Sequence, residues 1–122
     1  MTGTSDPNAT PGAGTNASLA ALQAQYFYLD RNFNRLFTAT TTDEERDTLR
    51  ADYVQARDNY WQARVRRFND DDPMVESLQQ KVAAAQEEIE RAGQRLDDVA
   101  GVLDAITSAV NLGSRLLALA AL

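Results

Sequence analysis

The acidic residues are the first candidates for chemistry, because carboxylates bind metal ions and act as general acids or bases. One run consists of Asp70, Asp71 and Asp72, but an EF-hand calcium loop needs spaced ligands, a central glycine and a distal glutamate. Since Pro73 follows the run, we predict instead that an aspartate caps a helix that begins at the proline. A second group has no partner residue that marks it as acid, base or ligand: Glu87, Glu88 and Glu90.

The chain contains neither histidine nor cysteine, which excludes several kinds of site. Without histidine it lacks the commonest general base and cannot form the Glu-x-x-His pairs of di-iron bundles. Without cysteine it has no disulfides and no thiolate metal site. No glycine-rich phosphate loop or nucleophile elbow is present either. We therefore expect a protein that is not an enzyme and has no catalytic, cofactor-binding or metal-binding residues.

Arginines recur every seven residues at Arg50, Arg57 and Arg64, which suggests either a phosphate-binding stripe or a solvated, salt-bridged helix face. The second interpretation is favoured because Asp43, Asp47 and other acidic residues lie on the same helix, three or four residues from arginines with which they can form ion pairs. The net charge of −6 also argues against phosphate contacts. The sequence therefore predicts no nucleic acid partner.

Aromatic residues concentrate in the first half of the chain, where they could form either a ligand-stacking pocket or a packing layer between helices. Their helical core spacing favours the packing layer. The residues are Tyr26, Tyr28, Tyr53, Tyr60, Phe27, Phe33, Phe37 and Trp61.

Residues 1–16 are rich in Thr, Ser, Asn, Gly and Pro, a composition typical of a disordered tail. They lack the basic start and apolar run of a secretory signal, so we expect a cytoplasmic location. The pattern Asn16-Ala17-Ser18 matches an N-glycosylation acceptor, but patterns this short arise often by chance. A single helical domain is predicted over residues 17–122.

The apolar pattern predicts an all-α fold with two shorter helices, at about residues 17–37 and 43–68. The first has a heptad stripe, and its apolar positions are Leu19, Leu22, Tyr26, Leu29, Phe33 and Leu36. Between the helices, Thr42 and Glu45 form a capping-box pattern. The second helix carries one stripe through Leu49, Tyr53, Ala56, Tyr60 and Ala63 and a neighbouring one through Val54, Trp61, Val65 and Phe68.

A third apolar stripe alternates spacings of 3 and 4 residues without interruption from Val75 to Ala120. It predicts one long helix over residues 74–120 and completes a three-helix, antiparallel, coiled-coil-like arrangement. At 1.5 Å per residue this helix would be about 70 Å long, roughly twice the length of either other helix. Its second half would therefore have no partner in its own chain.

That second half, from Val99 onward, is also the most apolar part of the chain, with Asp104 and Arg115 as its charged residues. A long apolar surface without a partner is an assembly signal, so we expect a homo-oligomer or a protein partner there. Folding back on the other helices, with a break near Gly113, is an alternative. The predicted interface consists of Val99, Val102, Leu103, Ile106, Ala109, Val110, Leu112, Gly113, Leu116, Leu117 and Leu119.

These features predict a small helical interaction or scaffold protein that self-associates through its C-terminal half. One alternative is a membrane-docking or membrane-active protein that uses the same segment. Against membrane spanning, each internal charge costs roughly 3 kcal/mol at the bilayer centre. A second alternative is a regulator or inhibitor that binds one partner protein through the aromatic-rich hairpin.

Overall fold

The computed structural model describes residues 17–121, so the predicted disordered tail over residues 1–16 lies outside the described residues. The fold is all-helical, as predicted. The helices are α1 (Ala17–Ala39), α2 (Asp43–Arg64), α3 (Pro73–Ala92) and α4 (Val99–Ala120), and a short 3-10 turn, Leu96–Asp98, precedes α4.

The prediction of one continuous helix over residues 74–120 is wrong, because the chain turns back between Ala92 and Val99. Gly93 ends α3, and a Cβ atom at this position would collide with the Tyr28 hydroxyl. Arg35 donates to the Gly93 carbonyl at 2.6 Å, where a cation also suits the negative end of α3. Asp98 then caps α4 by accepting from the Gly101 amide at 3.2 Å. The segment predicted to be one long third helix therefore forms two antiparallel helices, α3 and α4.

The four helices form a bundle in which α4 packs against each of the other three. Helices α2 and α4 run parallel, as two hydrogen bonds between them show. Thr107 of α4 donates to Asp52 of α2, and seven residues further along both helices Asn59 of α2 donates to Ser114 of α4. Helices α2 and α3 lie at opposite corners, so residues 65–72 cross the end of the bundle. Helix α2 therefore packs against α1 and α4 rather than against α3.

The crossing segment is fixed in place by Asp70, which is only 6% exposed. Its carboxylate accepts from the backbone amides of Ala17 and Ser18 and from the Ser18 hydroxyl, so it caps α1. Gln79 on α3 donates to the same carboxylate at 2.8 Å. One buried side chain thus joins the start of α1, the crossing segment and α3.

The capping predictions for α2 and α3 are confirmed. Thr42 accepts from the Glu45 amide at 3.0 Å, while Glu45 accepts from the Thr41 amide at 2.7 Å. Asp72 accepts from the amides of Met74 and Val75 and is followed by Pro73 in the first turn of α3. The acidic run at residues 70–72 therefore supplies caps for two helices.

The core lies along the axis shared by the four helices. Side chains that are less than 2% exposed come from every helix, and they include Leu22, Leu29, Leu36, Leu49, Val82, Ile89, Ile106 and Leu116. The predicted stripe of α1 is confirmed at Leu22, Leu29 and Leu36. The heptad positions of α4 are also buried, but inside this chain.

Candidate functional site

The residues of the predicted oligomer interface lie mostly in the core of the bundle. Leu112 is half-buried and Leu119 is 45% exposed. The remaining positions are buried by α1, α2 and α3: Val99, Val102, Leu103, Ile106, Ala109, Val110, Gly113, Leu116 and Leu117. The premise that α4 lacks a partner in its own chain is therefore wrong, because the turn at Gly93 returns α4 to the other helices. The same turn leaves most of these side chains inaccessible to a second molecule.

The accessible remainder of that interface is a small groove between α3 and α4. Leu119 lies there beside Met74, which is 67% exposed, and the groove has a volume of about 310 Å³. Lys81 and Arg115 contribute the charged part of its lining. Such a shallow groove offers few contacts to a partner.

A larger candidate surface is the aromatic strip, defined here as seven side chains on α1 and α2. Neighbouring ring centroids lie between 5.0 and 5.8 Å apart, in stacked, tilted and edge-on pairs. The strip consists of Tyr26, Phe27, Phe33, Phe37, Tyr53, Tyr60 and Trp61. The α1–α2 hairpin positions these rings because most of them recur at four- or seven-residue spacing, which places Tyr26, Phe33 and Phe37 on one side of α1 and Tyr53 and Tyr60 on one side of α2.

The predicted packing layer explains only part of this strip, since its outer side stays accessible. Trp61 is 51% exposed and Phe27 is 37% exposed, and the other five rings are half-buried. Helices α3 and α4 pack on the opposite side of the hairpin, and among residues 17–121 only the edge of the strip at Phe27 is bordered by α3, through Gln86 and Glu90. Tyr28 differs from these rings, because it points into the core and is 8% exposed.

The second apolar stripe of α2 continues the strip outward. Val54 is 41% exposed and Val65 is 83% exposed, and helical spacing places both on the same side as Trp61. The sequence contained this stripe, but two adjacent apolar sides predict two neighbouring helices. In the structure α2 has its neighbours, α1 and α4, on other sides, so the exposed stripe is the functional signal that sequence reasoning missed.

Arginines of α2 border the strip and contact its rings. The Arg50 guanidinium lies 4.9 Å from the centre of the Phe37 ring, and that of Arg64 lies 4.9 Å from the Trp61 ring. These are cation–π distances. Arg50 also pairs with Asp47 at 3.2 Å, an exposed ion pair of the kind predicted for this face.

A polar contact fixes the middle of the strip. Tyr53 donates its phenolic hydrogen to Asp30 at 2.7 Å, which joins α2 to α1 across the hairpin. This hydrogen bond to a carboxylate raises the pKa of Tyr53, so the phenol remains a neutral donor. The strip therefore combines apolar ring faces with fixed polar groups, as binding surfaces do.

No family model matches the chain, and no curated protein or solved structure is significantly similar to it.

The acidic groups do not form a recognisable metal centre within residues 17–121, where no cluster of three or more suitable ligands is found. Asp70 and Asp72 are occupied as helix caps. Glu88 pairs with Arg91 at 2.7 Å, and Glu90 accepts from Gln86 at 2.9 Å. These contacts give the carboxylates ordinary structural roles.

The stretch Leu96–Ala120 has the length and composition of a membrane-spanning helix. It includes the central core helix α4, and core helices of soluble proteins share these properties. The apolar character of α4 is thus accounted for by its contacts with α1, α2 and α3.

A buried polar seam joins the parallel helices α2 and α4. The Thr107 hydroxyl donates to Asp52 at 2.6 Å, and Asn59 donates to Ser114 at 3.0 Å. Paired polar groups at heptad spacing fix the register of two helices, because a shifted register would leave them unpaired. Burial raises the pKa of Asp52, and the hydrogen bond from Thr107 opposes part of that rise.

We expect the Asp52→Asn variant to be more stable than the wild type at pH 7, because burial penalises the charged form of the Asp52 carboxyl. The folded state holds the Asp52 proton more tightly than the unfolded chain, whose carboxyl has the ordinary pKa of 3.8. Stability is therefore lost as pH rises from 3.8 through the folded pKa, and asparagine removes that loss. Urea unfolding of both proteins from pH 3 to pH 7 measures the difference. A difference that does not shrink toward low pH, or one equal to that of the exposed control Asp58→Asn, would contradict the explanation.

Proposed function

We propose that this chain is a non-enzymatic helical module that binds a partner protein through the aromatic strip of its α1–α2 hairpin. The observation that carries the proposal is the exposed outer side of a continuous seven-ring cluster, with Trp61 51% exposed at its edge. Protein interfaces are enriched in Tyr, Trp, Phe and Arg, and binding energy concentrates in a few such side chains. A regulator or inhibitor of one partner, or a small scaffold, are roles that fit this surface.

The strip is suited to protein binding because it is ordered before a partner arrives. Its rings are held by one another, by the Tyr53–Asp30 hydrogen bond and by the bundle core beneath them. Little side-chain freedom is then lost on association, which lowers the cost of binding. The arginines at its border add directional, charge-assisted contacts.

Self-association through α4, the first hypothesis drawn from the sequence, is replaced in this proposal by binding through the hairpin. Nine positions of the earlier interface are buried in the bundle, so a second molecule would have to unfold it to reach them. The aromatic strip needs no such rearrangement.

The proposal is tested by selecting binders of the wild type from a library of random displayed peptides and then measuring the affinity of the enriched peptides for the Phe27→Ala/Trp61→Ala variant. We expect enriched peptides that bind the wild type and lose at least tenfold in affinity for the variant. Trp61 is the only tryptophan, so its fluorescence reports occupation of the strip directly. Met74→Ala/Leu119→Ala, which changes the groove between α3 and α4, serves as the matched control.

Two results would overturn the proposal. One is the enrichment of peptides that bind the aromatic-strip variant as well as they bind the wild type. The other is a large loss of stability in Trp61→Ala alone, because an exposed residue should change the free energy of unfolding by no more than about 0.5 kcal/mol. A core packing role would instead cost roughly 3 kcal/mol or more.

A further inference from the structure

We infer that the partner is an amphipathic helix that lies along α2 and carries acidic residues opposite the row of Arg50, Arg57 and Arg64. This inference rests on the proposed function and specifies the chemistry of its partner. It follows from the spacing of the exposed and half-buried residues on this side of α2, from their charge and from the length of the surface.

The spacing favours a helix as the occupant. Val54 and Trp61 are seven residues apart, and the three arginines follow the same interval. Seven residues of helix advance by about 10.5 Å, and a second helix crossing at a shallow angle presents one side chain at the same interval. An extended chain presents a side chain to one face about every 6.8 Å, which does not match this repeat.

The charge favours an acidic partner. The chain has a net charge of −6, yet this side of α2 carries a row of three arginines. Neither Arg57 nor Arg64 forms a salt bridge among residues 17–121. Arg50 has one exposed ion pair with Asp47, which contributes little and can be exchanged for a partner carboxylate. Their contacts with Phe37 and Trp61 hold Arg50 and Arg64 against the strip.

The same charges disfavour an antiparallel second copy of this chain as the occupant. If two copies packed their α2 helices antiparallel about a twofold axis, the arginine row of each would face that of the other, and like charges across an interface repel. Helical spacing also places Asp47 and Asp58 beyond the apolar row. Asp47 and Asp58 would repel acidic residues on the side of a partner helix that faces them. The acidic residues of the partner should therefore lie only on the side that faces the arginine row.

The surface is long enough for such a helix. Arg50 to Arg64 spans 15 residues of α2, with a rise of about 21 Å, which matches roughly four turns of a partner helix. Exposed side chains along that length include Val54 and Trp61, Val65 follows directly at the C-cap of α2, and the strip rings lie beside them. A helix in this position would bury the largest exposed apolar residues of α2 together.

The test is a displayed library of 21-residue amphipathic helices with one leucine per heptad and Glu, Lys or Leu at the neighbouring positions. Among the helices selected on the wild-type protein, we expect Glu to be at least ten times as frequent as Lys at one library position that repeats every seven residues. The Arg50→Glu/Arg57→Glu/Arg64→Glu variant should invert this preference to Lys, because the charges of the surface are reversed. The matched variant with Gln at these three positions should show neither preference, and circular dichroism checks that both variants are folded.

The remaining outcomes separate this inference from the proposed function. If Glu and Lys helices are enriched equally and both lose binding to Trp61→Ala, the strip binds proteins but the acidic partner is wrong. If random peptides bind the strip and no amphipathic helix does, the inference also fails while the proposed function stands. Preferential binding of a single-stranded oligothymidine, or a concentration-dependent dimer lost in Trp61→Ala, would overturn it in favour of nucleic acid or a second copy.

Discussion

The Ile106→Asp variant should be unfolded throughout, including the α1–α2 hairpin. Ile106 is fully buried in a cluster to which α1, α2 and α3 all contribute. The substitution loses about 1.5–3 kcal/mol of apolar burial and places a carboxylate in the core, which costs several kcal/mol more. Since domains of this size are stable by only about 5–15 kcal/mol, the folded state should no longer dominate.

Far-ultraviolet circular dichroism and the dispersion of amide resonances measure this loss. The matched control is Ser108→Asp, which introduces the same residue two positions along α4 on its exposed side and should remain folded. The hypothesis of self-association through α4 expects the opposite result, a hairpin that stays helical while an oligomer dissociates. Retention of native helicity in Ile106→Asp would therefore show that α4 is not the common core.

The apolar pattern predicted the helices well because burial and helical periodicity are directly linked. Leu22, Leu29 and Leu36 follow the seven-residue repeat of α1, and all three are fully buried. Local capping signals were equally informative, because the hydrogen bonds of Thr42 and Asp72 depend on residues within the same turn. Features fixed by neighbouring residues could thus be predicted.

The turn between α3 and α4 could not be predicted from the stripe, because the stripe keeps its phase across the turn. Ala92, Leu96 and Val99 continue the alternation of 4 and 3 residues although the chain reverses direction there. A continuous helix and an antiparallel pair bury the same heptad positions, so periodicity does not distinguish them. The distinguishing signals were Gly93, which ends α3, and Asp98, which caps α4.

The accessibility of the aromatic strip also lay beyond the sequence. Its residues have core spacing, and whether their outer side is covered depends on which corner of the bundle each later helix occupies. Because residues 65–72 cross the end of the bundle, α3 lies at the corner opposite α2 and leaves the hairpin open. The position of the crossing segment depends on Asp70 and its contacts with Ser18 and Gln79, which lie 52 and 9 residues away in sequence.

The close approach of α1 and α4 at Gly113 leads to a second large expected effect. A Cβ atom at this position would lie 2.6 Å from Gln25 Oε1 and 3.1 Å from Leu22 Cδ2. Gln25 is fully buried and donates to the Ala109 carbonyl at 2.7 Å, so it cannot move aside without losing that hydrogen bond. The absence of a side chain at Gly113 therefore permits both the helix contact and the buried hydrogen bond.

We expect Gly113→Leu to lower the free energy of unfolding by about 2–4 kcal/mol, measured by urea denaturation. Overpacking costs roughly 1–3 kcal/mol and an unpaired buried amide about 1–3 kcal/mol, while the better helix propensity of leucine returns somewhat less than about 1 kcal/mol. Ala118→Leu, at an exposed position of the same helix, should change stability by no more than about 0.5 kcal/mol.

A double-mutant cycle with Gln25→Ala identifies the cause of the loss at Gly113. If leucine destabilises by colliding with Gln25, shortening that side chain should recover part of the stability, and the two changes should couple by at least about 0.5 kcal/mol. Additive effects would mean that Leu22 or the backbone of α1 limits the approach instead. A Gly113→Leu protein as stable as the wild type would contradict the close packing of α1 on α4, and with it the burial of the α4 residues that removes them from the binding surface.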